Sequence, residues 1–189
     1  SPKKTGRLGR AAVKCGSLDL HRRTLRIIVR TPYEFFKEEA LTKDADPLEL
    51  LRQLFALQRS AALATTEAGR PYLSLMAFAA SEDLQYMVIA TYRNTRKYRN
   101  MQTDPRVALL VDNRANLPSD PQQAIAVTAL GQAEEVGAAE KHRFLTLYLA
   151  RHPDLETFAT SPDCALIKVK VDRYYVVSNF QEVREVTPR

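Results

Sequence analysis

Tryptophan is absent from the chain, and cysteine and glycine are scarce, with two and six residues among 189. Cys15 and Cys164 lie far apart and form no Cys-x-x-Cys pair or other metal-ligand spacing. The glycines form neither a dinucleotide-binding Gly-x-Gly-x-x-Gly motif nor a P-loop. Neither a run of about 18 apolar residues nor a signal-peptide pattern occurs. The sequence therefore predicts a soluble cytoplasmic protein with reduced cysteines, no metal site and no membrane partner.

The positive charge of the chain is concentrated at one end. Residues 1–30 hold nine lysines and arginines against one acidic residue, Asp19, so their net charge is +8. The remainder of the chain carries −2, which gives the total of +6. This arm has no interleaved aromatic residues, so we expect no specific nucleic-acid partner. The chain as a whole has 45% hydrophobic residues, enough to bury a full core. We predict a basic N-terminal extension over residues 1–30 and a single domain over residues 31–189.

The stretch Ala90–Asn100 has the pattern of an anion site. No acidic residue occurs between Asp83 and Asp104, and a short helix is predicted after Asn94. Because a helix N-terminus already carries a partial positive charge, cations there favour a bound anion. The candidate ligands are backbone N–H groups, two hydroxyls and two of the cationic side chains, namely Thr91, Thr95, Arg96 and Lys97. The alternative is a solvated basic helix end that binds nothing.

Hydrophobic patterning predicts a mainly β chain with flanking helices. Asp46, Pro47 and Glu49 have the spacing of a helix cap, and the apolar face that follows extends to Gln58. The remaining patterns predict strands over 25–29, 61–66, 71–79, 84–91, 106–111, 123–136, 164–171 and 174–180, and a second helix over 138–150.

Turn signals connect these strands. Glu67–Arg70 is predicted to be a turn because Gly69 can take positive φ, and residues 113–121 to be a loop. Gly131 predicts a bulge, and Asp172–Arg173 a tight connection between the last two strands. The six or seven short strands from residue 61 onward, with few intervening helices, favour a barrel over a doubly wound parallel sheet.

Four short motifs occur in a familiar order. They are Gly69-Arg-Pro-Tyr72, Ala90-Thr91, Thr95-Arg-Lys97 and Asp104-Pro-Arg-Val107. Their order and spacing resemble the FMN-binding split-barrel family that includes pyridoxamine 5′-phosphate oxidase, over residues 47–180. The resemblance implies an antiparallel split β-barrel. The later segments 151–153, 163–169 and 179–180 also resemble the heme-utilisation branch of that family.

The resemblance implies a site for FMN. Thr91, Thr95, Arg96 and Lys97, after the strand end at Ala90, match positions that hold the FMN phosphate. The strand residues Ser74, Leu75, Met76 and Ala77 match the strand beside the ring and ribityl chain. The family also implies a homodimer with the flavin at the subunit interface, and an oxidoreductase that transfers hydride or electrons to a small organic substrate.

The sequence departs from the true oxidases. Ser74 stands where they carry an arginine, Ala79 where they carry a lysine, and their C-terminal tryptophan motif has no counterpart. Oxidation of pyridoxamine phosphate is therefore not expected. Two alternatives stay open: a heme-binding or heme-degrading protein with His142 or His152 as axial ligand, and a flavin or deazaflavin carrier without turnover. The sequence assigns no catalytic residue.

Overall fold

The computed structural model describes residues 46–188. The predicted strand over 25–29, the predicted extension over 1–30 and Cys15 lie outside the described residues. The described helices and strands, in chain order, are α1 (Pro47–Leu57), β1 (Ser60–Glu67), β2 (Arg70–Ala80), β3 (Tyr86–Tyr92), α2 (Arg96–Thr103), β4 (Arg106–Asp112), α3 (Asp120–Gln123), β5 (Ala126–Glu135), α4 (Ala138–Arg151), a 3-10 turn (Pro153–Leu155), α5 (Glu156–Ala159), β6 (Cys164–Ser178) and β7 (Glu182–Val186).

The strands form one antiparallel sheet that closes on itself. Their order is β3-β2-β1-β4-β5-β6-β7, and an additional pairing between β3 and β6 closes the first six strands into a barrel. β7 pairs with β6 and extends the sheet beyond the closure. Closure gives each of the six barrel strands a partner on both sides over part of its length, which removes most open edges. The predicted fold class, a mainly β split barrel with flanking helices, is confirmed.

β6 corrects the sequence prediction of two strands joined at Asp172–Arg173. It is one strand of 15 residues, Cys164–Ser178. Leu130 of β5 pairs with Arg173, and Gly131 pairs with Val171, so Asp172 is the extra residue of a bulge. The predicted irregularity at Gly131 is therefore confirmed, but the polar pair opposite it bends a continuous strand instead of ending one.

Several predicted boundaries move for local reasons. The predicted strand over 123–136 begins only at Ala126, because Asp120–Gln123 form the short helix α3. The strand predicted from residue 84 begins at Tyr86, since Leu84 takes a φ of 59°. The helix from Pro47 is present, but the side chain of Asp46 makes no cap hydrogen bond. In the turn after β1, Ala68 and Gly69 both take positive φ, 48° and 78°, as expected for a tight hairpin.

Two hydrophobic clusters hold the barrel together. One fills the interior and includes Leu50, Leu54 and Phe55 of α1. The centre of the Phe55 ring lies 5.6 Å from that of Phe78 and 5.8 Å from that of Tyr174. The other packs α4 against the outside of the barrel. Each fully buried large apolar side chain contributes about 1.5–3 kcal/mol. In the described part, no helix is long and apolar enough to cross a bilayer.

Candidate functional site

The gap between β2 and β3 brings together two groups of predicted site residues. These strands pair only where Phe78, Ala79 and Ala80 face Ile89, Val88 and Met87. The next positions along the two strands are Ala77 and Ala90, and no further β2–β3 pair forms in the described part. β3 continues along β6 instead, as far as Tyr92. Among the described strands, the stretch from Ser74 to Ala77 therefore has a partner only on the β1 side.

The side chains along β2 alternate between two faces. Met76 is buried in the barrel interior, whereas Leu75 is 78% exposed, and Ala77 packs beside the cluster under α4. Ala90 and Thr91 on β3 are both buried. Met76 and Ala90 can therefore offer a ligand only their backbone groups, while Leu75 can offer its side chain.

Thr95 immediately precedes α2, and its hydroxyl caps the helix. This hydroxyl accepts a hydrogen bond from the Tyr98 amide at 3.4 Å, donates to the Tyr92 carbonyl at 2.8 Å, and lies 3.0 Å from the Thr91 hydroxyl. In residues 46–188 the amides of Arg96 and Lys97 donate no hydrogen bond. These two N–H groups are the unsatisfied donors expected in the first turn of a helix.

The two predicted cationic ligands differ in what they contact. Arg96 forms an ion pair with Glu67 at the end of β1, and its guanidinium lies 4.8 Å from the ring centre of Tyr72. Lys97 is half-buried and forms no ion pair with any described residue. A charge count along the chain does not find Glu67, which the β1–β2 hairpin brings to Arg96.

The loop before α2 is tied to β5 and to the segment preceding β6. Arg93 donates to the carbonyls of Pro162 (2.7 Å) and Cys164 (2.8 Å), and it forms an ion pair with Glu135. Tyr98 donates to the same carboxylate at 2.6 Å. Burial acts to raise the pKa of Glu135, but the hydrogen bonds from Tyr98 and Arg93 outweigh it and leave that pKa lowered. The hydrogen bond to Glu135 raises the pKa of Tyr98, so near neutral pH the carboxylate is charged and the phenol protonated.

A buried polar contact fixes the far side of α2. The side-chain amide of Asn100 donates to the Thr65 hydroxyl at 3.0 Å, and this hydroxyl lies 3.4 Å from the Tyr72 carbonyl. Both Asn100 and Thr65 are buried, so losing either partner leaves an unsatisfied polar group. α2 is therefore held against β1 with a defined orientation of its N-terminus.

A barrel split between β2 and β3, with a polar helix N-terminus beside the split, is the arrangement to which the comparisons with known proteins apply. The family model described as pyridoxamine 5′-phosphate oxidase matches residues 48–178, more than half of the chain. The chain belongs to the pyridoxamine 5′-phosphate oxidase family. No curated protein matches it.

Solved structures of other proteins share the fold of this chain. A heme-binding protein from Mycobacterium smegmatis is 19% identical with a TM-score of 0.68, over 76% of this chain and 59% of its own. A protein of unknown function from Agrobacterium tumefaciens is 23% identical with a TM-score of 0.63, over 75% of this chain and 57% of its own. A FAD-binding protein from Mesorhizobium loti is 18% identical with a TM-score of 0.55, over 69% of this chain and 90% of its own. The chain thus spans less than two-thirds of the first two proteins.

The described histidines are not both available as ligands. His152 is only 2% exposed, its Nε2 lies 2.8 Å from the Phe78 carbonyl, and its Nδ1 lies 3.4 Å from a guanidinium nitrogen of Arg59. His142 is exposed on α4, and His21 lies outside the described residues. Within residues 46–188 no group of three or more metal-ligating side chains is close enough to hold a metal ion.

Two cavities differ in their relation to the predicted residues. One of about 490 Å³ lies beside the loop before α2 and is lined by Tyr92, Arg93, Asn94, Ser161 and Asp163. The other, of about 580 Å³, lies between α1, the end of β2 and α4. Neither cavity is lined by a residue that the sequence assigned to a flavin. The smaller one is nevertheless formed by the loop that connects Thr91 to Thr95, whereas the larger one has an apolar lining away from that loop. We therefore centre the candidate site on the loop and the β2–β3 gap.

Proposed function

We propose that this chain is an FMN-binding flavoprotein that acts as a homodimeric oxidoreductase on a small organic substrate. The observation that carries the proposal is the N-terminus of α2, where two amides lack acceptors and Lys97 lacks an acidic partner in the described part. A phosphate group carries about −1.5 to −2 charges near neutral pH and accepts several hydrogen bonds. It would satisfy both amides and the Lys97 amine together.

Arg96 fits the same phosphate without leaving its partners. Its ion pair with Glu67 uses one terminal nitrogen, and a guanidinium has five N–H donors in a rigid fork. The ring of Tyr72 and the carboxylate of Glu67 would hold that fork in place. Thr91 and Thr95 would then act mainly by shaping the loop, because each hydroxyl is already hydrogen-bonded within it.

The free side of β2 suits the flavin ring. In an antiparallel strand, every second residue directs its N–H and C=O groups away from a given neighbour. Between Ser74 and Ala77 those groups have no β3 partner in the described part, so they could hydrogen-bond the edge of the isoalloxazine. When bound, the flavin supplies the hydride and electron chemistry, while the chain binds it, orients it and admits the substrate.

A second copy of the chain would cover the apolar side of this strand. Leu73 and Leu75 are 67% and 78% exposed on neighbouring outward positions, in the part of β2 that pairs with β1 alone among the described strands. Exposed large apolar side chains grouped at a strand edge favour burial at an interface. Because Ser74 and Ala79 replace the arginine and lysine of true oxidases, we propose a substrate other than pyridoxamine phosphate.

Visible spectra and calorimetric titration of the purified chain test the proposal. We expect flavin absorption after incubation with FMN, and FMN binding at least about tenfold tighter than riboflavin, because the phosphate adds charge-assisted hydrogen bonds. Equal affinities for the two flavins would refute the phosphate site. A Soret band lost in His142→Ala would favour heme binding, since His152 is already hydrogen-bonded at both ring nitrogens. Flavin that is bound but not reoxidised by any acceptor would favour a carrier.

A further inference from the structure

A single carboxylate holds both ends of the loop that carries the proposed phosphate ligands. Glu135 is the last residue of β5, and each of its oxygens accepts from a different side of the loop. One accepts from the Arg93 guanidinium, before the loop, and the other accepts from the Tyr98 hydroxyl, within the first turn of α2, at 2.6 Å. The four residues between these two tethers, Asn94–Lys97, include both proposed cationic ligands.

Arg93 acts as a tether and not as a phosphate ligand. Its backbone N–H donates to the Asp163 carbonyl at 3.0 Å, and its side chain donates to two further carbonyls and to Glu135. These acceptors belong to β5 and to the segment that enters β6. Arg93 lies in the same basic stretch of the sequence as Arg96 and Lys97, but its contacts give it a different role.

We infer that Glu135 is a positioning residue that sets the preference of this site for a phosphorylated flavin, an inference that rests on the proposed function. A site whose donors are already in place loses less freedom on binding and binds more tightly. Glu135 holds the first turn of α2 through Tyr98 and the preceding loop through Arg93. It therefore fixes the amides of Arg96 and Lys97 without contacting the phosphate itself.

The sign of the effect distinguishes positioning from simple electrostatics. A carboxylate close to a phosphate repels it, so removal of the charge alone would tighten FMN binding. Loss of positioning weakens FMN binding but leaves riboflavin almost unaffected, because riboflavin makes no use of the N-terminus of α2. If the role of Glu135 were merely structural, its replacement would lower the affinities for both flavins to the same degree.

Glu135→Gln is the primary test. The amide keeps the shape of the side chain but offers one acceptor in place of two, so it can satisfy Arg93 only by directing its NH₂ group at Tyr98. We expect the affinity for FMN to fall about tenfold, because the first turn of α2 is then less well held before the phosphate binds. We expect the affinity for riboflavin to change less than about twofold. Glu134→Gln is the matched control, since Glu134 is its neighbour on β5 and pairs with Lys168 instead.

Tyr98→Phe tests the same inference if the first variant folds poorly. It removes one hydroxyl and leaves Arg93 paired with Glu135. We expect a smaller loss of FMN affinity than in Glu135→Gln, and a double variant no weaker than Glu135→Gln alone, because both changes remove the same contact. Unchanged or tighter FMN binding in both single variants, or equal losses for FMN and riboflavin, would overturn the inference. A wild-type chain that does not prefer FMN to riboflavin would instead refute the proposed function.

Discussion

Lys97→Ala tests the proposed phosphate site with little disturbance of the fold. Lys97 is the second residue of α2 and has no ion pair in the described part. If its amine binds the phosphate, the variant loses a charge-assisted hydrogen bond of about 1.5–3 kcal/mol. That loss corresponds to roughly a tenfold to hundredfold weaker affinity for FMN.

The stability of the flavin-free chain is expected to move the other way. A cation in the first turn of a helix costs about 0.3–1 kcal/mol, because it faces the positive end of the helix dipole. Lys97→Ala removes that cost and replaces lysine with the best helix former. We expect a free energy of unfolding that is unchanged or slightly higher, measured by urea denaturation without flavin.

Arg96→Ala provides a contrast at the adjacent position. It also removes a proposed phosphate ligand, but it breaks the ion pair with Glu67 and the contact with Tyr72. Both partners of that ion pair are about half exposed, so we expect the free energy of unfolding of the flavin-free chain to fall by no more than about 1 kcal/mol. Lys170→Ala, which changes an exposed lysine of β6, is the control for charge alone. Native FMN affinity in an Arg96→Ala and Lys97→Ala double variant would show that the phosphate binds elsewhere.

Three further predictions concern the barrel and the N-terminal arm. A Cβ at Gly131 would lie 2.3 Å from the Lys170 carbonyl oxygen, so Gly131→Ala should lower the free energy of unfolding by about 1–3 kcal/mol or more. In the control Gly137→Ala the new Cβ has no atom within 4 Å, so the free energy of unfolding should fall by less than about 1 kcal/mol. Equal thermal stabilities of the two variants would contradict this prediction. Burial raises the pKa of Tyr148 to about 12 from about 10 in an unfolded chain, so its contribution to stability is complete below pH 10 and is lost as the pH rises through 12. Chemical denaturation should show the free energy of unfolding falling by on the order of 2 kcal/mol over this pH range because of this residue, and Tyr148→Phe should reduce that fall. An identical pH profile in the variant would refute the role of Tyr148. Removal of residues 1–22 should leave the flavin content unchanged and give, by light scattering, the molar mass of a dimer of the shortened chain. A monomeric or flavin-free product would show that the arm belongs to the dimer or the site.

Local signals in the sequence predicted most of the strands. The hairpin after β1 could be predicted because Gly69 marks positive φ next to two alternating apolar runs. The continuity of β6 could not, because Asp172–Arg173 has the composition of a turn. Only the pairing with β5, more than 30 residues earlier in the chain, shows that this polar pair lies at a bulge. The missed strand β7 is short and mostly exposed, so it lacks the apolar alternation on which the other predictions rested.

The candidate site likewise has a part that the local sequence predicts and a part that only the folded barrel reveals. Thr91, Thr95 and Lys97 are close in sequence, and the helix that starts after Thr95 follows from local spacing. The carboxylates that organise the loop come from other strands, with Glu67 29 residues before Arg96 and Glu135 42 residues after Arg93. A charge count along the chain cannot find such partners, because only the closed barrel brings them to the loop. Whether Ser74 to Ala77 contact a flavin stays a prediction.

The single long strand β6 has a consequence for how the chain is made. Its first half pairs with β3, while β5 runs along most of its length. A nascent chain that has not yet extended beyond Cys164 therefore exposes two open strand edges, including the apolar run Met87–Ala90 of β3. Open apolar edges are templates for pairing between chains, and distant pairings such as β3 with β6 form slowly. Synthesis of this one strand supplies the partner that covers both of these edges.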